Sequence, residues 1–152
     1  GLGLNDIQAV IADMGPFEGA KEFVEWVRTH FQLIILSDTF YEFAHPLMQQ
    51  LGWPTIFCHK LETDENGMIT NYKLRQPDQK RQAVKALHGL NFRVIAAGDS
   101  YNDTTMLGEA DAGFLFDAPD NVIAEFPQFP PIHGYAALKE AIRNASVRDI
   151  PA

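Results

Sequence analysis

The stretch Ile95–Met106, IAAGDSYNDTTM, ends an apolar run at Gly98 and passes at once into Asp99, Ser100, Asn102 and Asp103. A carboxylate at the end of a buried strand, with a second carboxylate four residues on, suits a hard cation. Mg2+ binds through one or two carboxylates and keeps water in the rest of its shell. A second apolar run, Leu33–Leu36, breaks in the same way into Ser37-Asp38-Thr39. Between the two, Lys80 opens the pattern KRQAVKAL and places one ammonium at a helix start. Both apolar runs lead into helices, whose free N–H groups and positive dipole ends favour phosphate. Taken singly, these residues have plain structural uses. Ser37, Asp38 and Asn102 are good helix caps, and a lone lysine is most often solvated.

The other reactive side chains form no such set. The histidines at 30, 45, 59, 88 and 133 lack metal-ligand spacing and read as surface or core packing residues. Cys58, the single cysteine, reads as a packed strand residue rather than a nucleophile.

The elements that must position these residues come from the apolar pattern. Ile7, Val10 and Ile11 keep helical spacing behind Asn5 and Asp6, and a second helix after Pro16 turns Ala20, Phe23, Val24 and Val27 inward. FQLIILSD follows as a strand whose continuous apolar run predicts cover on both faces. Thr39 to Leu51 reads as a helix with Phe40, Phe43, Leu47 and Leu51 inward, kinked or restarted at Pro46. TIFCHKLET and GMITNYKLR flank Asn66-Gly67, a hairpin signal. Pro77 and Asp78 open a helix to about Leu87, FRVIAAGD and AGFLF are strands around a short helix from Thr104 to Ala110, FPQFPP is a stiff surface loop, and Tyr135 to Ala145 closes the chain as a helix. Alternating strands and helices predict an α/β fold with a mainly parallel sheet, in one compact unit.

Bulk properties narrow the function classes. The chain has 152 residues, 46% apolar and 21% charged, as a folded globular domain does. No apolar run approaches the roughly 18 residues of a membrane span. A formal net charge of −8 argues against nucleic acid or an anionic membrane as partner, and a phosphorylated substrate would need a local positive site. One cysteine excludes an internal disulfide and fits a reducing, cytoplasmic setting. The opening GLGLNDIQAV has neither an initiator methionine nor a signal-peptide pattern.

In this order, a strand ending in Ser37, a lysine at a helix start and a strand running into GDSYND resemble motifs of the haloacid dehalogenase-like superfamily. LSDTFYEF, FCHKLE, LRQ and NVIAEFPQFP extend the likeness over nearly the whole chain, toward a branch acting on phosphoserine with water or homoserine as acceptor. The resemblance implies a Rossmann-like core with a β-hairpin and Mg2+-dependent phosphoryl transfer through an aspartyl-phosphate. It implies that Ser37 hydrogen-bonds the phosphoryl group, Asp38 contacts substrate and Lys80 neutralises the phosphoryl oxygens and the nucleophile. Asp99 would bind Mg2+, Asn102 would contact substrate or phosphate, and Asp103 would orient the metal's ligands. These roles suit a reaction in which positioning and charge neutralisation supply most of the catalysis.

The family's nucleophile is the first acid of a D-x-D or D-x-E at the end of an apolar strand, and this chain has none. Asp13 follows a helical pattern, and Asp117 and Asp120 stand three apart beside Pro119. Residues 1–14 are expected to be the end of a truncated helical cap, and residues 15–152 a core without its first strand, the nucleophile lying upstream. The alternative is a naturally short, non-catalytic phosphate-binding or scaffolding module. An oligomer is compatible with either reading.

Overall fold

The computed structural model describes residues 4–6, 8, 9, 15 and 17–152. The expected pattern at Ile7, Val10 and Ile11, and Asp13, lie outside the described residues. In place of one unit, the chain divides into two, residues 1–77 and 78–152.

The first unit runs α1 (Ala20–His30), β1 (Ile34–Phe40), α2 (Tyr41–Gln50), β2 (Thr55–Thr63) and β3 (Ile69–Lys73). Val24 and Val27 are the buried face of α1, and Arg28 and His30 in its last turn oppose the helix dipole. Val24 joins Ala44, Met48 and Leu51 in a core against which Leu33, Ile35, Leu47 and Ile56 pack. Each large apolar side chain buried there contributes roughly 1.5–3 kcal/mol. β1 pairs in parallel with β2, and β2 pairs antiparallel with β3. The hairpin forms where Asn66-Gly67 predicts it. Gly67 takes φ +78°, and Asp64 Oδ1 accepts the N–H groups of Asn66 and Met68, each at 2.9 Å.

Three expectations for this unit change. β1 extends through Phe40, so α2 begins at Tyr41 and buries Ala44 and Met48, while Phe40 stays in the strand against Phe43, His59 and Tyr72. β1 is only half-buried, because among the described residues it is an outer strand with β2 as its one neighbour. α2 runs on through Pro46 without restarting. The proline's missing N–H frees the Glu42 carbonyl, and the side-chain amide of Gln8 donates to that carbonyl at 2.6 Å.

The second unit runs α3 (Gln79–Gly89), β4 (Ile95–Gly98), a 3-10 turn (Tyr101–Asp103), α4 (Thr104–Glu109), β5 (Ala112–Phe116), α5 (Asp120–Glu125), β6 (Pro131–Ile132) and α6 (Tyr135–Ala145). Its strands are ordered β4-β5-β6, all parallel. Leu107, Leu115, Val84, Val122 and Leu138 are its most deeply buried apolar side chains. The proline segment read as a surface loop contributes β6. Pro131 starts that outer strand, a place where its missing N–H removes no ladder bond.

The class is therefore α/β with mainly parallel pairing, but among the described residues the strands form two three-stranded sheets rather than one. Among the described residues, no helix is long and apolar enough to cross a membrane.

Candidate active site

In the second unit, β4 delivers its C-terminal end into the turn that carries Asp99, Ser100, Asn102 and Asp103, and α3 delivers Lys80 to the same place. Lys80 Nζ donates to Asp103 Oδ1 at 2.6 Å. The side chains are 11% and 7% exposed. Asp103 Oδ2 accepts the N–H groups of Asp99 at 2.8 Å and Ser100 at 3.1 Å, with the Ser100 hydroxyl at 3.3 Å. One carboxylate thus folds the acid turn back on itself and pins the lysine over it.

Other contacts hold this geometry. Thr105 Oγ1 donates to Asp78 Oδ1 at 2.8 Å, and Arg81 Nε to Glu109 Oε2 at 3.4 Å, so the start of α3 is tied to α4. Tyr101 donates its hydroxyl to Glu125 and packs edge-on against Phe126, anchoring the turn to the end of α5. Asn102 is exposed on the turn between them.

The two acids differ electrostatically. Burial alone would raise the carboxyl of Asp103. The Lys80 hydrogen bond and charge, with the N–H groups of Asp99 and Ser100, outweigh it and hold Asp103 below its ordinary value. Asp99 moves the other way, raised first by partial burial and then by the negative charge of Asp103 beside it. An acid whose charge is disfavoured in this way is one that a cation would relieve.

Asp103 is fully engaged with Lys80 and the backbone, so Asp99 is the carboxylate this turn can offer to a metal. Among the described residues there is no group of three or more His, Cys, Asp or Glu side chains placed to hold a metal ion together. A single hard oxygen ligand, completed by water and phosphate oxygens, fits Mg2+ and does not fit a soft or fully caged metal. Asp99 would hold the ion and Asp103 would orient the loop around it.

Gly98 is a determinant the sequence shows only as the end of an apolar run. A Cβ there would lie 2.5 Å from Asp103 Cβ and 2.6 Å from its Cγ and Oδ2. Only glycine lets the buried carboxylate fold against the strand end. Gly98→Ala is expected to cost about 1–3 kcal/mol or more by overpacking. An unchanged midpoint in thermal unfolding would contradict this close approach.

In the first unit, Ser37 and Asp38 sit where β1 loses regular register with β2. Leu36 pairs with Phe57 and Phe40 with His59, so Ser37, Asp38 and Thr39 stand opposite Cys58 alone. Ser37 Oγ accepts the Thr39 N–H at 3.2 Å, stabilising the irregularity. Such bulges redirect side chains. Asp38 is exposed, with Oδ1 at 3.6 Å from His59 Nε2. Cys58 is 1% exposed, and burial, against the pull of Arg75, pushes its thiol up to about 11, so it is no nucleophile. The structure therefore gathers Lys80, Asp99 and Asp103 around one turn bearing Asn102, and sets Ser37 and Asp38 together on β1 of the other unit.

A strand-to-turn acid site with a pinned lysine thus stands in an α/β chain with mainly parallel strands. Residues 3–111 match the haloacid dehalogenase-like hydrolase family, and the chain belongs to that family. It is 63% identical over 150 residues to a phosphoserine phosphatase of Pseudomonas syringae pv. tomato, covering 99% of this chain and 63% of that protein. It is 62% identical over 150 residues to the phosphoserine phosphatase ThrH of Pseudomonas aeruginosa, covering 99% of this chain and 73% of that one. The chain thus spans somewhat under two thirds of one of these relatives and nearly three quarters of the other. A crystal structure of a phosphoserine phosphatase in apo form shares the fold, with a TM-score of 0.75 at 18% identity over 93% of this chain and 73% of that chain.

Proposed function

We propose that this chain carries the lysine, metal-binding acid and phosphate contacts of a Mg2+-dependent phosphoserine phosphatase that works through an aspartyl-phosphate. The observation that carries the reading is the Lys80–Asp103 pair folded under Asp99. The Pseudomonas relatives, named as phosphoserine phosphatases at above 60% identity, support phosphoserine as substrate. Transfer to homoserine instead of water is the finer form of the same reading, carried by the likeness in LSDTFYEF and FCHKLE.

In this reading the nucleophilic carboxylate and the acid that handles the leaving-group proton lie outside residues 1–152. The expected cap remnant, residues 1–14, lies largely outside the described residues. The P–O bond to serine breaks as the aspartyl carboxylate takes the phosphoryl group, and water then releases phosphate. When bound, Mg2+ supplies charge neutralisation at the phosphoryl oxygens and the nucleophile. Lys80 adds a fixed positive charge, aimed by Asp103. The resemblance gives Ser37 and Asn102 the part of phosphate contacts and Asp38 that of a substrate contact.

Phosphate release from phosphoserine by the full-length gene product tests this. Activity should vanish with a chelator and return with Mg2+, and residues 1–152 expressed alone should lose on the order of 10⁴-fold or more. Asp99→Asn should weaken Mg2+ binding at least about 10-fold in titration calorimetry, because it removes a charged oxygen ligand and keeps the shape. Equal Mg2+ affinity in Asp99→Asn and wild type overturns the metal assignment. Efficient turnover by residues 1–152 overturns the placing of the nucleophile, and its absence from the full-length product leaves the non-catalytic module.

A further inference from the structure

We propose that His59 is a positioning residue for Asp38, holding that carboxylate in the orientation in which it meets the amino-acid end of the substrate. The inference rests on the reading of Asp38 as a substrate contact. His59 lies on β2, 7% exposed, with Phe40 tilted against its ring at 6.1 Å. Its two nitrogens have different tasks. The backbone N–H of Arg75 donates to Nδ1 at 2.9 Å, so Nδ1 presents a lone pair and the ring proton sits on Nε2. Nε2 faces Asp38 Oδ1 at 3.6 Å, slightly beyond hydrogen-bond length.

The tautomer is fixed because Arg75 is itself held. Its Nε donates to the Cys58 carbonyl at 3.2 Å, its Nη2 to the Tyr41 hydroxyl, and its guanidinium lies over the rings of Phe57 at 5.0 Å and Tyr41 at 5.7 Å. The irregularity in β1 sets two more residues between Leu36 and Phe40 than lie between their partners on β2, and Asp38 is in the middle of that segment. A histidine buried only for packing needs its nitrogens satisfied by any buried acceptor. Here the second nitrogen faces a carboxylate that is 44% exposed. Burying an imidazole to aim at a half-exposed acid is of use where the direction of that acid matters.

The full-length protein tests this with two variants. His59→Leu removes the N–H aimed at Asp38, and His59→Gln keeps a side-chain N–H near the place of Nε2. Nitrogen-15 NMR should show the His59 ring with its proton on Nε2, and a proton on Nδ1 overturns the proposal by itself. His59→Leu should raise KM for phosphoserine on the order of 10-fold, the scale at which lost orienting partners are felt. It should leave kcat within about threefold and leave hydrolysis of p-nitrophenyl phosphate, which has no amino-acid end, unchanged, with His59→Gln restoring the KM. His59→Leu added to Asp38→Ala should give no further loss, since His59 acts through Asp38. Equal losses on both esters, or no change on phosphoserine, overturn the positioning role. A wild-type protein that hydrolyses neither ester overturns the phosphatase reading and the substrate half of this proposal with it, while the tautomer separately reports whether the His59 geometry is right.

Discussion

Replacing Asp103 by Asn is expected to destabilise the protein by about 3–5 kcal/mol, the cost of breaking a buried ion pair on one side. Asp103 is 5% exposed, and the side chain of Lys80, whose Nζ it holds, is 11% exposed, so water cannot replace the lost charge. An amide has one accepting end. Turned toward Lys80, it leaves its NH2 facing the N–H groups that Asp103 Oδ2 now accepts from Asp99 and Ser100; turned the other way, it sets NH2 against an ammonium. Domains of this size are stable by about 5–15 kcal/mol, so the loss takes a large part of the margin. The midpoint of chemical denaturation measures it. Adding Lys80→Met to Asp103→Asn should restore part of the loss, because the uncompensated ammonium is then gone.

The pair also carries a pH signature. Folding holds Asp103 below its ordinary value, so the unfolded chain binds the proton more readily. The stabilisation is full above the ordinary aspartate value of about 3.9 and is lost as pH falls through the lowered one. Asp99, raised in the folded state, works in the opposite direction, and comparing wild type with Asp103→Asn isolates the Asp103 contribution. A destabilisation of the variant that stays equally large well below pH 3 would contradict the assignment.

The second large effect is expected in catalysis. Lys80→Arg in the full-length protein should lower kcat for phosphoserine by about 10²–10³-fold, the usual consequence of losing one aimed donor at a developing charge. Arginine keeps a positive charge for Asp103 and therefore most of the stability. Its planar fork cannot put a point charge where the ammonium sits 2.6 Å from Asp103 Oδ1. The two readouts are meant to separate, with unfolding near wild type and turnover far below it. A Lys80→Arg protein with wild-type kcat would show that Lys80 braces the turn and does not neutralise the phosphoryl group.

Much of this was legible in the residues themselves. The apolar runs ending at Leu36 and Gly98 gave two strands in the right places, and the hairpin followed from Asn66-Gly67, because a positive φ at the glycine is a local requirement that few other residues meet. The helix over Tyr135–Ala145 formed as its periodicity predicts. The short α5 was not legible, since six residues with Val122 alone buried give too little periodicity to read. The start of α2 shifted because pairing with β2 keeps Phe40 in the strand, and sheet pairing outweighs local helical spacing.

What the sequence by itself determined is the set of chemical groups and part of their local setting: an acid turn after a strand, a lysine at a helix start, a serine and an aspartate following an apolar run. Tertiary structure decided which groups meet. Lys80 and Asp103 are 23 residues apart and pair because α3 is tied to α4 through Asp78–Thr105 and Arg81–Glu109. Gly98 matters because a carboxylate five residues later folds back onto it, and His59 has a defined tautomer because Arg75, 16 residues away, brings a backbone N–H to its ring. Periodicity and propensity act over a few residues. The direction of a buried side chain is set by the elements packed around it, so the roles of these three residues emerge only when the chain is folded.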